Sequence, residues 1–196
     1  MLYIAHRINT EEELKKVPKE CGIEVDLRDR GDRLVLQHDP FKDGEDFEGF
    51  LKSYRHAHII LNIKSERIED RVLDLLKKFN ITEYFFLDSS FPMMVQLSRQ
   101  GESNLAVRLS EYEGLDTVLA MKNKVQWVWV DCFSRFPLEI DDYETLKANG
   151  FQLCLVSPEL QGRPDEIEKY KEHLKTTSID FDAICTKVHN IGLWQK

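Results

Sequence analysis

The sequence predicts an α/β protein that folds as a compact (β/α)8 TIM barrel, with a single domain over residues 1–196. Eight short apolar segments alternate with segments in which apolar residues recur at helical spacing. Several of the apolar segments have no polar face, as is typical of parallel strands in a sheet that helices cover. No linker or change of composition divides the chain. Its length is close to the lower limit of the barrel fold, so we expect some helices to be short or missing.

The main alternative is an open, doubly wound parallel sheet. That fold predicts a glycine-rich phosphate loop directly after the first strand. Residues 6–9 have the sequence HRIN and contain no glycine, which favours the closed barrel.

Each predicted strand is an apolar run bounded by polar or turn-forming residues. The runs cover residues 2–5, the first half of a hairpin at 22–40, and residues 58–64, 84–87, 105–109, 125–130, 151–156 and 181–186. Within the run at 125–130 we expect Trp127 and Trp129 to serve as core packing, one facing the barrel interior and the other the helix layer.

Capping residues signal the helix starts. Thr10 and Glu13 fit a capping box, and Pro18 is expected to end this first helix early. Ser65 is expected to cap the helix after the third strand, and Ser90 to cap the next one. Further helices are predicted over residues 46–54, 115–121, 142–148 and 164–175, and the tail is too short for a full helix.

Composition and charge restrict the class of function. Apolar residues make up 42% and charged residues 32%, and the net charge of −8 argues against a broad nucleic-acid-binding surface. No apolar run approaches the roughly 20 residues of a membrane-spanning helix, and the N-terminal segment is too short for a signal peptide. We therefore predict a cytoplasmic protein without integral membrane association. The four cysteines form no Cys-x-x-Cys pair and are expected to be buried, reduced thiols.

Residues 22–40, GIEVDLRDRGDRLVLQHDP, combine two carboxylates with a histidine. Glu24 and Asp26 are two positions apart on a strand, so they share one face, roughly 7 Å apart along the chain. Gly31 lies in a turn of hairpin type, because glycine readily adopts a positive φ. If the hairpin is symmetric about Gly31, His38 lies opposite Glu24. We therefore expect an imidazole and two carboxylates on one patch.

Polar side chains also follow the ends of the other predicted strands. His6 and Arg7 follow the first strand, and Asn62 and Lys64 close the third. The remaining strand ends carry Asp88, Arg108, Asp131, Glu159 and Lys187. Because TIM barrels place their sites at the C-terminal ends of the strands, this pattern predicts a polar pocket there. Each of the last five residues can equally be a structural group.

Four segments carry a resemblance to a known family: IAHR (residues 4–7), IEVDLRDRGDRLVLQHDP (23–40), NIK (62–64) and AICT (183–186). They resemble the glycerophosphodiester phosphodiesterases, which belong to the superfamily of the phosphatidylinositol-specific phospholipases C. The resemblance is strongest over residues 1–40, where His-Arg, Glu-x-Asp and His-Asp-Pro follow one another in the family's order. It implies a TIM barrel and a phosphoric diester hydrolase.

The resemblance implies that His6 and His38 act as general acid and base on a phosphodiester. Arg7 matches the arginine that binds the phosphate, a role suited to its bidentate donor fork. Lys64 matches a lysine that lies near the phosphate. Positive charges at these positions would offset the negative charge that builds up on the phosphate oxygens.

The resemblance also implies a divalent cation, Mg²⁺ or Ca²⁺, as cofactor. Glu24 and Asp26 match two of its ligands, and hard cations prefer carboxylate oxygens. Asn62 stands where the family supplies a third acidic ligand. An amide oxygen can bind a hard cation, but the site loses one negative charge. We therefore expect weaker metal binding, or a contribution from Asp88 or Asp131.

Other departures concern the substrate. Ile8 replaces the glycine that follows His-Arg, the family's Pro-Glu-Asn-Thr segment is reduced to Asn9 and Thr10, and the insertion that shapes the glycerol pocket is absent. The partner is therefore predicted only as a small phosphodiester, glycerol- or sugar-linked. The oligomeric state is left open.

Two other functions use the same residues. One is binding of a phosphorylated ligand by a barrel that has lost catalysis. The other is a lyase reaction that forms a cyclic phosphate. Structural roles are a further alternative: Glu24 and Asp26 can be interior carboxylates paired with Arg7 or Lys64, and His6 can be a half-buried histidine at a strand end.

Overall fold

Eight parallel strands close into a barrel in the computed structural model, which describes residues 1–195. The strands are β1 (Leu2–Ala5), β2 (Gly22–Arg30), β3 (Arg33–Leu36), β4 (Glu45–Asp46), β5 (Ile59–Ile63), β6 (Tyr84–Leu87), β7 (Ala106–Leu109), β8 (Trp127–Val130), β9 (Gln152–Val156) and β10 (Ala183–Thr186). Around the barrel the order is β1, β2, β5, β6, β7, β8, β9 and β10, and β10 pairs with β1. A single parallel bridge between Phe86 and Leu105 joins β6 to β7. The predicted (β/α)8 barrel is confirmed.

Strands β3 and β4 lie outside the barrel, where β3 pairs antiparallel with the second half of β2 and β4 pairs antiparallel with β3. Leu27 pairs with Leu36, the last pair before the loop that carries His38. The expectation that His38 lies opposite Glu24 is wrong. Strands β2 and β3 pair one residue away from the register that symmetry about Gly31 requires, and their pairing stops before His38.

The helices alternate with the barrel strands, as predicted. They are α1 (Glu11–Leu14), α2 (Phe47–Ser53), α3 (Glu69–Lys78), α4 (Phe91–Arg99), α5 (Leu115–Ala120), α6 (Ile140–Ala148), α7 (Ile167–Thr177) and α8 (Ile191–Trp194). The capping box between Thr10 and Glu13 is present at the start of α1. Ser65 does not cap α3, because Arg67 has a φ of +68 that interrupts helical geometry before Glu69. No helix within residues 1–195 is both long and apolar enough to cross a bilayer.

The apolar core has two layers, one inside the barrel and one between the strands and the helices. The interior layer contains Trp127 and Trp129 together. The expectation that they face opposite sides is wrong, because residues two positions apart on a strand share a face. All four cysteines are buried and unpaired.

His58 is a buried histidine directly before β5, at the N-terminal end of the barrel. Its ring lies 5.4 Å from the ring of Phe85 and 5.6 Å from that of Trp127, measured between centroids. Its Nε2 atom has no hydrogen-bond partner within the part of the chain that the structure describes. Burial lowers the pKa of His58 from 6.5 to about 4 because an apolar surrounding disfavours the charged ring.

We predict that His58 reduces the stability of the protein in mild acid. Between pH 6.5 and about 4 the unfolded chain binds a proton at this position and the folded chain does not, so the free energy of unfolding falls as the pH drops. His58→Phe should reduce this fall by roughly 2–3 kcal/mol. His189→Phe, at an exposed histidine, should leave it unchanged. Urea unfolding at several pH values measures the effect, and equal pH slopes for the three proteins would contradict it.

Candidate functional site

The C-terminal ends of β1, β2 and β5 bring together most of the predicted site residues. These strands are neighbours in the barrel, and Asp26 on β2 is the register partner of Asn62 on β5. Glu24 is 0%, Asp26 1% and Asn62 7% exposed. Val25, between the two carboxylates, belongs to the apolar layer under the helices, so alternation along the strand turns both carboxylates into the barrel.

Glu24 is a buried carboxylate whose two oxygens both accept hydrogen bonds. The backbone N–H of Arg7 donates to Oε2 at 2.7 Å, and Nδ2 of Asn62 donates to Oε1 at 2.8 Å. Arg7 has a φ of +57, a left-handed conformation that costs roughly 1–2 kcal/mol for a residue other than glycine. Burial, followed by the negative charge of Asp26, raises the pKa of Glu24 to about 7. A positive charge next to Glu24 would therefore favour the ionised form of its carboxylate.

Asp26 is held by Asn9, a residue of the shortened Pro-Glu-Asn-Thr segment that was not among the predicted site residues. Nδ2 of Asn9 donates to Oδ2 of Asp26 at 2.8 Å, and Oδ1 of Asn9 accepts from the backbone N–H of Asp26 at 2.8 Å. Nε of Arg7 lies 3.5 Å from Oδ2 of Asp26, and Nζ of Lys64 lies 3.7 Å from its Oδ1. The two predicted phosphate-binding cations therefore flank one carboxylate.

Glu24, Asp26 and Asn62 fit the chemistry of a hard divalent cation. The Oδ1 atom of Asn62 is buried and has no hydrogen-bond partner among residues 1–195, so an amide oxygen is available beside two carboxylates. Mg²⁺ and Ca²⁺ prefer oxygen ligands of these kinds. No group of three or more His, Cys, Asp and Glu residues in the described chain is arranged to hold a metal. A cation bound at this place would therefore have only two acidic ligands.

Asp88 and Asp131, the other acids expected near the cation, both pair with basic side chains. Both form ion pairs with Arg108, and Oδ2 of Asp88 also lies 3.1 Å from Nζ of Lys64. Gln161 donates to Oδ1 of Asp131 at 2.7 Å. A contribution of either acid to a metal site stays a prediction.

His6 lies between Lys187 and Glu24. Nζ of Lys187 is 3.0 Å from Nδ1 of His6, and Oε2 of Glu24 is 3.8 Å from its Nε2. The contact results from closure of the barrel, because Ala5 on β1 and Thr186 on β10 are register partners directly before the two residues. An ammonium group only donates, so Nδ1 of His6 is the acceptor and the proton of the neutral ring lies on Nε2.

The pKa of His6 is lowered to about 3. Burial is the largest cause, followed by the positive charges of Lys187, Arg7, Lys64 and His38. The imidazole of His6 is therefore neutral at physiological pH. The charge of His38 is the smallest of these causes.

His38 lies in the loop between β3 and β4, and 41% of its side chain is exposed. Nε and Nη2 of Arg28 donate to the backbone carbonyl of His38 at 3.2 and 3.0 Å, which holds the loop on β2. Oδ1 of Asp39 lies 2.9 Å from Nδ1 of His38. Hydrogen bonds from His38 and Lys42 lower the pKa of Asp39, so this carboxylate is ionised and only accepts. The proton of the His38 ring therefore lies on Nδ1, and Nε2 is free to accept one.

Two solved structures that match this chain are phosphodiesterases. A glycerophosphodiester phosphodiesterase from Agrobacterium tumefaciens C58 aligns with a TM-score of 0.74 over 96% of this chain and 97% of its own, at 15% identity. A glycerophosphoryl diester phosphodiesterase from Parabacteroides distasonis ATCC 8503 aligns with a TM-score of 0.61 over 95% of this chain and 82% of its own, at 12% identity. No protein-family model and no curated protein matches the chain. The likeness establishes a shared TIM-barrel fold, and it agrees with the resemblance that the motifs of residues 1–40 indicate.

Proposed function

We propose that this chain is a metal-dependent phosphoric diester hydrolase that acts on a small, glycerol- or sugar-linked phosphodiester. Two solved structures of the same fold carry the name of such an activity. The observation that carries the proposal is the placement of buried Glu24, Asp26 and Asn62 beside His6. This cluster lies at the C-terminal end of the barrel, where TIM-barrel enzymes hold their active sites.

Glu24, Asp26 and the amide oxygen of Asn62 would hold the cation, Mg²⁺ or Ca²⁺. When bound, the cation polarises a phosphate oxygen and stabilises the negative charge of the transition state. The side chain of Arg7 is 44% exposed, which leaves N–H donors for the phosphate. Lys64 supplies a second positive charge on the other side of Asp26.

The two histidines divide the proton transfers. Nε2 of His38 accepts a proton from the attacking water, because Asp39 keeps the ring proton on Nδ1. His6 presents its Nε2–H to the site. Because the ring of His6 is neutral, giving its Nε2–H to the leaving alcohol requires a proton at Nδ1, and the ammonium group of Lys187, 3.0 Å away, is placed to supply it.

A phosphate-binding protein without turnover is the second candidate. Protein donors already satisfy both oxygens of Glu24, and Asn62 carries no charge, so both features favour weak metal binding. A lyase would use the same residues, with a hydroxyl of the substrate attacking phosphorus in place of water. Phosphorus NMR of the products separates a cyclic phosphate from a hydrolysed one.

Metal removal tests the proposal. The protein is stripped with EDTA and assayed on bis(p-nitrophenyl) phosphate and glycerophosphodiesters, without metal and with Mg²⁺, Ca²⁺ or Mn²⁺. We expect the best metal to raise the rate by roughly 100-fold or more, because a bound cation supplies several kcal/mol of charge stabilisation. Calorimetry of the same metals, with Asp26→Asn as the variant that loses a ligand, measures binding separately.

The outcomes separate the candidates. Metal-dependent release of alcohol supports the hydrolase. Binding of inorganic phosphate without turnover of any diester would favour the binding protein. Turnover that is equal with EDTA and with every metal would remove the cation from the mechanism.

A further inference from the structure

A groove of about 370 Å³ runs along the rim of the barrel next to His6. The loop after β1 and the segment after β10 form its walls. The ionisable residues that line it are His6, Arg7, Glu13, Lys16, Lys187 and His189. The single acid among them, Glu13, already accepts hydrogen bonds from the backbone N–H groups of Asn9 and Thr10. Two of its cations pair with acids outside the groove, Lys16 with Glu12 at 2.9 Å and Arg7 with Asp26 at 3.5 Å, which leaves Lys187 as the cation to account for.

Lys187 is a half-buried cation whose side chain contacts a neutral ring. Its ammonium group lies 3.0 Å from Nδ1 of His6, and no carboxylate within residues 1–195 pairs with it. The carboxylate of Glu159 binds the backbone N–H of Lys187 at 3.0 Å, together with the hydroxyls of Ser157 and Thr186. A partly desolvated cation without a counter-ion is unfavourable, so a bound anion would stabilise it.

The ring of His6 lies between Lys187 and the carboxylate of Glu24. Glu24 lies on the Nε2 side of the ring, and Lys187 lies on the Nδ1 side. Arg7 and Lys64 flank Asp26. Lys187 is therefore placed to meet a part of the substrate beyond the phosphodiester.

We infer that one of the two alcohols of the substrate carries a second negatively charged group, a phosphate or a carboxylate, which Lys187 binds in this groove. The inference rests on the proposed phosphodiesterase function and adds a substrate class to it. A hydrogen bond between two charged groups discriminates strongly against a neutral substituent, because the cation is then left without a partner.

A series of diesters that differ in the charge of one alcohol tests this inference. The substrates are glycerophosphoglycerol, its terminal phosphate, glycerophosphoglycerate and glycerophosphocholine, assayed with the metal that supports turnover. We expect kcat/KM for one or both anionic substrates to exceed that for glycerophosphoglycerol by roughly 10- to 100-fold, and glycerophosphocholine to be the poorest. The ranking of the two anionic substrates tells a phosphate from a carboxylate.

Lys187→Met should lower the ratio of anionic to neutral kcat/KM by about tenfold or more. Because Lys187 contacts His6, the absolute rates also change, and the ratio is the informative quantity. Lys171→Met is the matched control, since Lys171 is also partly buried but pairs with Glu168 on α7. An equal loss on all four substrates would show that Lys187 only positions His6, and would overturn the inference.

A binding measurement distinguishes this inference from the proposed function. Calorimetry compares 3-phosphoglycerate, which has two anionic groups, with glycerol 3-phosphate, which has one. Tighter binding of 3-phosphoglycerate that Lys187→Met abolishes supports the inference even when no diester is hydrolysed. Equal binding of the two compounds, or a difference that survives Lys187→Met, overturns it. Turnover without any charge preference overturns the inference and leaves the hydrolase function in place.

Discussion

His38→Ala is expected to lower kcat on a phosphodiester by roughly 10²- to 10⁴-fold, the range typical of a lost general base. His6→Ala is expected to cause a loss of the same order, because it removes the proton donor. Asp39→Asn should give a smaller loss, since the amide no longer holds the His38 proton on Nδ1 and part of the rings take the other tautomer. Steady-state kinetics of the three variants, with the best metal at saturation, measures these effects.

His56→Ala is the matched control for the two histidines. His56 lies before β5 at the opposite end of the barrel, where its Nε2 is 3.0 Å from the backbone carbonyl of Val17. This variant should retain kcat, whatever it loses in stability. A His38→Ala protein as active as His56→Ala would exclude His38 as the base and leave a mechanism in which His6 alone moves protons.

Asn62→Asp is expected to make the stability of the protein depend on a divalent cation. The substitution removes the Nδ2 donor to Glu24 and places a third carboxylate beside Glu24 and Asp26, all of them buried. Without metal, we expect the free energy of unfolding to fall by roughly 3–5 kcal/mol at neutral pH, the cost of an uncompensated buried charge. Added Mg²⁺ or Ca²⁺ should recover this loss by binding the folded state, and with higher affinity than in the wild type.

The pH dependence of this loss has a definite sign. The pKa of Glu24 is already raised to about 7, and a further carboxylate raises it more. A folded-state pKa above the unfolded value means that stability falls as the pH rises through the interval between them. The loss in Asn62→Asp should therefore be smaller in mild acid and larger above neutral pH, as urea unfolding in EDTA will measure.

Asn190→Asp provides the control for Asn62→Asp. Asn190 is another buried asparagine, 9% exposed, at the start of α8 and away from the two carboxylates. Whatever its effect on stability, Asn190→Asp should have the same effect with and without metal. If Asn62→Asp behaves in the same way, the three residues do not form a cation site and the phosphate-binding alternative gains support.

Local patterns in the sequence predicted the parts of the site that a single strand determines. Glu24 and Asp26 share a buried face because side chains alternate along a strand, and alternation is independent of what surrounds the strand. The same rule places Trp127 and Trp129 on one face, and the expectation to the contrary was wrong. The expectation that His38 lies opposite Glu24 was wrong for another reason. The position of His38 depends on the register of the hairpin, and a shift of one residue changes which residue of β2 it faces.

The contacts that complete the site depend on closure of the barrel. Asn9 reaches Asp26 because β1 pairs with β2, and Lys187 reaches His6 because β10 pairs with β1. Lys187 was visible as a polar group at a strand end and Asn9 as part of a shortened family motif, but nothing in the local sequence distinguishes a residue that contacts the site from a solvated side chain. Asp88 and Asp131 illustrate the converse, since the same strand-end pattern leads in their case to ion pairs with Arg108.

The sequence by itself determined the order of strands and helices and the closed barrel, and it predicted a cluster of histidines, carboxylates and cations at one end of the barrel. Periodicity, capping and motif order are encoded over short distances, so they can be read without coordinates. Only the tertiary structure decided that the amide oxygen of Asn62 has no hydrogen-bond partner among the described residues and that Lys187 contacts His6. It also decided that Asp88 and Asp131, which follow β6 and β8, form ion pairs with Arg108. These facts join residues up to 181 positions apart, and they follow from strand register and ring closure, which depend on the packing of the whole barrel.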